Sequence, residues 1–219
     1  MAFTFDSEVI ISPTTFSQIC YGVDDGSTGL TSQQIAQIQF AVNSANKKIL
    51  SYCSRKFIQA TYTEVWDGAN SDEILTREWP ITGVTSIIYD YRSNFSAGTP
   101  IDTTFYYFYD QSIVFHGNIT PFGRAAIQVI YTAGYPLASM PYDLQMALIL
   151  QFKMDYKLLN PGTTDPDQSM LYSGASKMGE SFTKNKTIDQ FGLTKEVMLM
   201  LEPYRRVDFP ASRMFLRVT

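Results

Sequence analysis

One histidine and two cysteines in 219 residues leave this chain with little for metal or nucleophilic chemistry. His116 stands beside a glycine in a turn, and no G-x-S-x-G elbow accompanies it, so it reads as a surface turn residue. Cys20 and Cys53 lie far apart, and with one histidine they cannot make the usual four-ligand zinc set. Both read as reduced thiols, with Cys53 half-buried on a helix. No glycine-rich phosphate cradle follows a strand; Gly117, Gly123 and Gly134 are scattered and mark turns. Charged residues are only 17% and the net charge is −4, so the surface is not built to neutralise phosphates. No apolar run reaches the length of a membrane span, and no basic start leads into a hydrophobic core. The expectation is a protein made and used without crossing a membrane. Asn118 and Asn185 open glycosylation triplets that mean nothing without a secretory route. Asp67, Asn70, Asp72 and Glu73 are rich in oxygen but lack calcium-hand spacing, and read as a hairpin turn. Asp165 and Asp167 flank Pro166 in what reads as a solvated loop. Nothing here sets up an enzyme, a cofactor or a metal.

What the chain does have is apolar residues, 45% of the total, and aromatics, 14%. That is enough for a core and for buried interfaces. The organising stretch is a predicted helix over 31–57. Ile35, Ile38, Val42, Ala45, Ile49 and Tyr52 recur three and four residues apart, which draws one apolar stripe along about seven turns. Thr31 and Gln34 form a capping box at its start. A stripe that long wants a long partner, and 141–160 offers one: Leu144, Leu148, Phe152, Tyr156 and Leu159 make its stripe, Ser139 its cap, Pro141 its first turn. Before the first helix, Val9-Ile10-Ile11 is a short strand or a packed arm, and Ser12-Pro13 opens a short helix to about Cys20.

Between the long helices the period changes to two. Tyr62, Glu64 and Trp66 alternate with Thr63 and Val65, and 73–77 is expected as the hairpin mate. Further strands are expected over 84–90, 105–109, 112–115 and 125–131, with Asp110-Gln111 as a tight turn. About six short strands describe a small antiparallel sheet or barrel. The stretch 163–190 carries Gly, Ser, Thr and Asp, with few large apolar residues. Leu193, Val197, Leu201 and Tyr204 then share one face of a short helix.

Two stretches stand out as contact surfaces. In Phe105-Tyr106-Tyr107-Phe108-Tyr109 alternate members face opposite sides of a strand, so at least half should be core; the rest suit a subunit interface or, as a rival reading with Trp66, a carbohydrate platform. Tyr107, Tyr109 and Phe182 are the candidate subunit-interface residues. The end of the chain carries Arg205, Arg206, Arg213 and Arg217 against Asp208, interleaved with Phe209, Met214, Phe215 and Leu216. It could touch DNA phosphate, dock on a protein or stay solvated; the mixture of arginine and aromatics suits docking.

The order of the parts resembles a known family. Ala45-Asn46-Lys47-Lys48-Ile49-Leu50-Ser51-Tyr52-Cys53-Ser54-Arg55-Lys56-Phe57 is followed by Thr61-Tyr62-Thr63-Glu64-Val65-Trp66-Asp67-Gly68, then Trp79-Pro80-Ile81-Thr82-Gly83-Val84-Thr85-Ser86-Ile87. Ile130-Tyr131-Thr132-Ala133-Gly134-Tyr135 and Met140-Pro141-Tyr142-Asp143-Leu144 come next, and Leu201-Glu202-Pro203-Tyr204-Arg205-Arg206 closes the set. Over roughly 13–206 this is similar to the head–tail connector (adaptor, head completion) proteins of tailed bacteriophages, prophages and gene transfer agents. The stretches 91–104 and beyond 206 depart from typical relatives.

The resemblance implies a structural virion protein, assembled in the host bacterial cytoplasm and resident in the virion neck. It implies a homo-oligomeric ring, commonly a dodecamer, below the portal protein. Such a ring extends a channel through which genomic DNA passes without specific binding, and carries stopper or tail proteins. Arg205, Arg206, Phe209, Arg213 and Phe215 are then the candidate portal contacts. The expected fold class is α+β: an antiparallel helical bundle with an inserted small antiparallel β module and an extended C-terminal tail. Its parts are 1–30, an arm and short helix; 31–58 and 137–162, the helical core; 59–136, the β module; 163–192, a flexible loop; and 193–219, a helix and docking tail. Another neck or tail-completion protein of the same fold is the alternative.

Overall fold

The computed structural model describes residues 3–22, 29–68, 72–116, 123–159 and 191–206. The fold is mixed α and β with antiparallel sheets, and it divides into two compact units. One is helical and joins Met1–Arg55 to Tyr142–Thr219; the other is the β unit Lys56–Pro141.

The helical unit is built on α2, Ser32–Cys53. Thr31 caps it reciprocally with Gln34: the hydroxyl accepts the Gln34 N–H at 3.2 Å and the Gln34 side chain accepts the Thr31 N–H at 2.9 Å. Every residue of the expected stripe is buried, and Ala41, Asn46 and Cys53 join them. The helix stops four residues short of the expected end, because Ser54 turns left-handed at φ 52°. Cys53 is therefore the last helical residue and fully buried, where half-burial was expected.

The other helices pack along this rod. α1, Pro13–Tyr21, is capped by Ser12, whose side chain accepts the Thr15 N–H. The arm before it carries Val9, Ile10 and Ile11, all buried. It lies on α2 through two amides: Asn46 donates to the Glu8 carbonyl at 2.9 Å and accepts from the Ile10 N–H at 3.3 Å, and Asn43 accepts from the Asp6 N–H at 3.3 Å. α3, Tyr142–Leu159, packs against α2. Leu144, Leu148 and Phe152 are buried as expected, but Leu159 is 42% exposed. Ser139 is not its cap: it closes a 3-10 turn over Leu137–Ser139, and the helix begins after Pro141. α4, Lys195–Leu201, buries Val197 and Leu201, and Leu193 before it is buried too.

The β unit has seven described strands in two sheets. The first sheet runs β1 (Ala60–Gly68), β7 (Gly123–Ala133), β3 (Ile81–Tyr89), β4 (Thr99–Pro100), in that order. The second runs β2 (Glu73–Leu75), β6 (Ser112–Phe115), β5 (Tyr106–Phe108). The expected hairpin of β1 with 73–77 does not form. β7 pairs with β1 from Ala60↔Ala133 to Gly68↔Gly123, so a ladder far longer than the three-residue β2 could offer takes that edge. β2 goes instead to β6, with Ile74 opposite Ile113. Ile74, Ile113 and Phe115 of one sheet and Ile87, Ile127, Val129 and Tyr131 of the other form one core. Two faces with alternating apolar residues thus bury each other.

Two details explain the local sequence. Gly134 has φ +102°, and a Cβ there would stand 2.8 Å from the carbonyl oxygens of Phe57 and Ile58. Only glycine allows that approach, where the Tyr135 N–H donates to the Phe57 carbonyl at 2.7 Å. The Tyr131 hydroxyl donates to Glu64 at 2.6 Å and accepts the Glu78 N–H at 3.1 Å, so a buried phenol is fully bonded.

Replacing Asn46 by alanine removes its bonds to the Glu8 carbonyl and from the Ile10 N–H, and the expected loss is about 1–3 kcal/mol in a urea titration. A loss below the error of the fit would show that the arm does not depend on this amide. Burial pushes the Cys53 thiol up to about 12. A raised folded value means that the folded state holds the proton longer. Stability is therefore fully present below pH 9 and falls by about 1.4 kcal/mol per pH unit per such group toward pH 12. Unfolding curves from pH 8 to 11 check this, and Cys53→Ala should flatten the slope. An unchanged slope in that variant rejects the assignment.

Candidate assembly surfaces

The outer faces of the two sheets are unlike each other. On the first, Thr61, Thr63 and Val65 of β1 and Gln128, Ile130 and Thr132 of β7 alternate with the core residues and make a mixed polar and aliphatic surface without aromatics. On the second, pairing aligns Glu73, Val114 and Tyr107 in one row and Leu75 with Ser112 in the next, beside Tyr109. Leu75 is 41%, Phe105 50%, Tyr107 39% and Tyr109 61% exposed. A strand face that is apolar on both sides is the pattern of a sheet covered twice.

The expectation that at least half of the 105–109 run is core is overturned: only Tyr106 is buried, and Phe108 too is 41% exposed. The reason lies in the edge. β5 is the last described strand of its sheet, so Phe108 points inward at a border that no further described strand covers. Tyr107 and Tyr109 meet edge to face with centroids 5.2 Å apart, and Tyr107 lies 5.0 Å from the His116 ring. Loss of water, the hydrogen bond with Tyr109 and the charges of Asp72 and Glu73 push the Tyr107 phenol upward. Asp72, Glu73 and Asp110 are exposed around the aromatics, so the patch is apolar with an acidic border.

Trp66 belongs elsewhere. It packs against the β core, its indole N–H donates to Glu64 at 3.1 Å, and the Arg77 guanidinium lies 5.9 Å from the ring. It does not join the exposed aromatics in a ligand platform. His116 is exposed, in keeping with a surface turn.

The helical unit carries a second surface. Phe40 is 65% exposed on the side of α2 away from its stripe. With Asn43, Ser44, Lys47, Lys48, Ser51, Asp6 and Phe191 it lines an open groove of about 510 Å³. Lys47 is exposed, whereas Lys48 is tied to Asp155 at 2.6 Å. Apart from those two lysines α2 carries no charge. Sequence reasoning passed over Phe40, although an aromatic that interrupts the polar side of an amphipathic helix was there to be seen.

At the end of the described chain, Arg205 lies 5.2 Å over the Tyr52 ring and 4.0 Å from Glu202, and the Arg206 N–H donates to the Cys53 carbonyl at 2.9 Å. The chain is therefore fastened to the C-terminus of α2 just before the basic tail. Phe182, Phe209, Arg213 and Phe215 lie outside the described residues. Among the described residues no group of three or more His, Cys, Asp or Glu is placed to hold a metal, and no helix is long and apolar enough to cross a membrane.

The sequence model of the head completion proteins matches residues 28–207, and the chain belongs to that family. A structural role in completing a viral head follows from membership. Among solved structures, the chain is similar to a protein in the virion of a native gene transfer agent particle, with TM-score 0.53 and 16% identity over 85% of each chain. It is also similar to one in the neck of an empty gene transfer agent particle computed with C6 symmetry, with TM-score 0.50 and 18% identity over 84% of this chain and 85% of the other. These likenesses establish a shared fold. No curated protein sequence matches the chain.

Exchanging both Tyr107 and Tyr109 for serine should change stability by less than about 0.5 kcal/mol, since both rings are exposed, while lowering incorporation into particles. A large stability loss with normal incorporation would make the pair a folding element instead.

Proposed function

We propose that this chain is the head–tail adaptor of a tailed virion: a subunit of a homo-oligomeric ring, a dodecamer, in the neck below the portal protein. The ring extends the DNA channel and gives stopper or tail proteins a platform. The observation that carries the reading is the apolar outer face of the second sheet, which a lone subunit would leave in water. Family membership supplies the setting, and the similar protein in the gene transfer agent neck supplies a fold already used there. With net charge −4 the protein neutralises few phosphates, which lets DNA slide past without sticking.

Docking on the portal belongs to the tail, with Arg205, Arg206, Phe209, Arg213 and Phe215 as its contacts. Arginine and aromatic side chains together make strong anchors, and the fastening of Arg206 to α2 gives the tail a fixed starting point.

Quantitative mass spectrometry of purified particles should give a ratio to the portal protein near one to one, and deletion of 207–219 should abolish capture by immobilised portal. Absence from mature particles would overturn the adaptor reading, and undiminished capture would overturn the role of the tail.

A further inference from the structure

The second sheet ends on an unguarded edge, and we propose that a partner adds a strand to it: an extended segment bearing lysine or arginine, from the protein that the adaptor carries, pairs with β5 along Tyr106–Phe108. This rests on the adaptor reading and says what its platform offers. β6 covers β5 on one side only. The His116 N–H donates to the Phe105 carbonyl at 2.8 Å, and the Tyr109 N–H to the Ser112 carbonyl at 2.8 Å. In an antiparallel pair, residues bonded in this way alternate with residues whose N–H and C=O point to the other side. Phe105, Tyr107 and Tyr109 therefore spend their backbone groups on β6, and those of Tyr106 and Phe108 face the open side. No described strand pairs with them there.

The edge is shaped to receive a chain. Two concavities, of about 450 and 320 Å³, lie along it and share Phe108. Ile81, Tyr109 and Asp110 line the first, and Val84 and Tyr106 the second. Ile81 and Val84 come from β3, which β4 reaches only at Ile88 and Tyr89. The Ile81 N–H donates to the Asp110 carbonyl at 2.7 Å and ties the β5–β6 turn to the start of β3. Edges that must stay unpaired are blunted by lysine, proline or a bulge. The run 103–109 holds no charge and no proline, and β5 pairs with β6 without a bulge. An added strand gains main-chain hydrogen bonds from Tyr106 and Phe108 and lays alternate side chains into the concavities.

Charge names the occupant. Asp102 and Asp110 stand exposed at the two ends of the β5 run, and the charges of Asp72 and Glu73 bear on Tyr107. Residues 56–141 hold eight acidic side chains against four basic ones, so the β unit by itself accounts for the net charge of −4. Of the basic ones, Arg77 lies over Trp66 and Arg92 over Tyr91, and none lines either concavity. A cationic segment is drawn to such an edge and an acidic one is turned away. The α2 groove gives no such sign, because Asp6 lines it together with Lys47, and Lys48 is paired with Asp155.

The test is residue-resolved amide exchange of the full chain in tailless heads and in complete particles. The Tyr106 and Phe108 amides should exchange at least about tenfold more slowly in complete particles, whereas the Tyr107 and Tyr109 amides, bonded to β6, should be slow in both. Equal exchange of Tyr106 and Phe108 in the two overturns the proposal and leaves the adaptor reading standing. Slow exchange already in tailless heads also overturns it, since a second copy or the portal then covers the edge. Absence of the chain from particles overturns the adaptor reading itself. Phe108→Pro removes an outward N–H and leaves the ladder to β6 in place. Heads that carry this variant at normal copy number should lack tails, and normal tailing overturns the strand pairing. Should the variant fail to enter heads, Asp110→Lys decides: it should lower the yield of tailed particles about tenfold. An unchanged yield overturns the cationic partner.

Discussion

The helical unit hangs on the burial of one helix on nearly all of its length. α2 offers its stripe to α3, its Asn46 amide to the N-terminal arm and its last carbonyl, that of Cys53, to the Arg206 N–H. Three segments distant in sequence are thereby referred to one rod. The Tyr52 hydroxyl adds a hydrogen bond to Glu202 at 2.9 Å, on the same turn that sets Arg205 over the Tyr52 ring. The length of α2 matters because a shorter helix could not hold the arm near its middle and the chain's exit at its end. Capping at Thr31 and the left-handed Ser54 fix that length.

The β unit obeys a different constraint. A strand with eleven residues, β7, pairs on both sides, with β1 and β3, and supplies Ile127, Val129 and Tyr131 to the core. Its outer residues, Gln128, Ile130 and Thr132, are half-buried. The three-residue β2 and β5 flank β6 and cannot bury much by themselves. The exposed side chains on and beside them are nonetheless Leu75, Phe105, Tyr107 and Tyr109. Natural strand edges are commonly guarded by charge or proline. Here charge sits at the border and aromatics at the centre, which is the anatomy of an interface more than of a guarded edge.

Much of the helical architecture was legible because its signals are local. The capping box, the three-and-four spacing of the α2 stripe and the Ser12-Pro13 start each arise within a few residues, and each holds. What failed was non-local or marginal. Whether 73–77 returns to β1 depends on a competitor, β7, some fifty residues later. The exposure of Phe108 depends on β5 being an edge, and nothing in five consecutive aromatics says which strand will lie beside them. Cys53 was misjudged because its burial is set by where α2 stops, and the left-handed turn at Ser54 carries no glycine to announce it. The alternation of Tyr107 and Tyr109 was visible; their acidic border was not, since Asp72 and Glu73 reach them only through β6.

That difference bears on how such a subunit works. An assembly protein must stay folded before its partners arrive, so its core must be complete without them. The α2 stripe and the shared core of the two sheets meet that requirement from within one chain. The surfaces left over then have to be apolar enough to associate and charged enough at the edge to avoid random sticking. An aromatic centre ringed by carboxylates meets both demands: it gains little from a second acidic patch and most from one that carries a lysine.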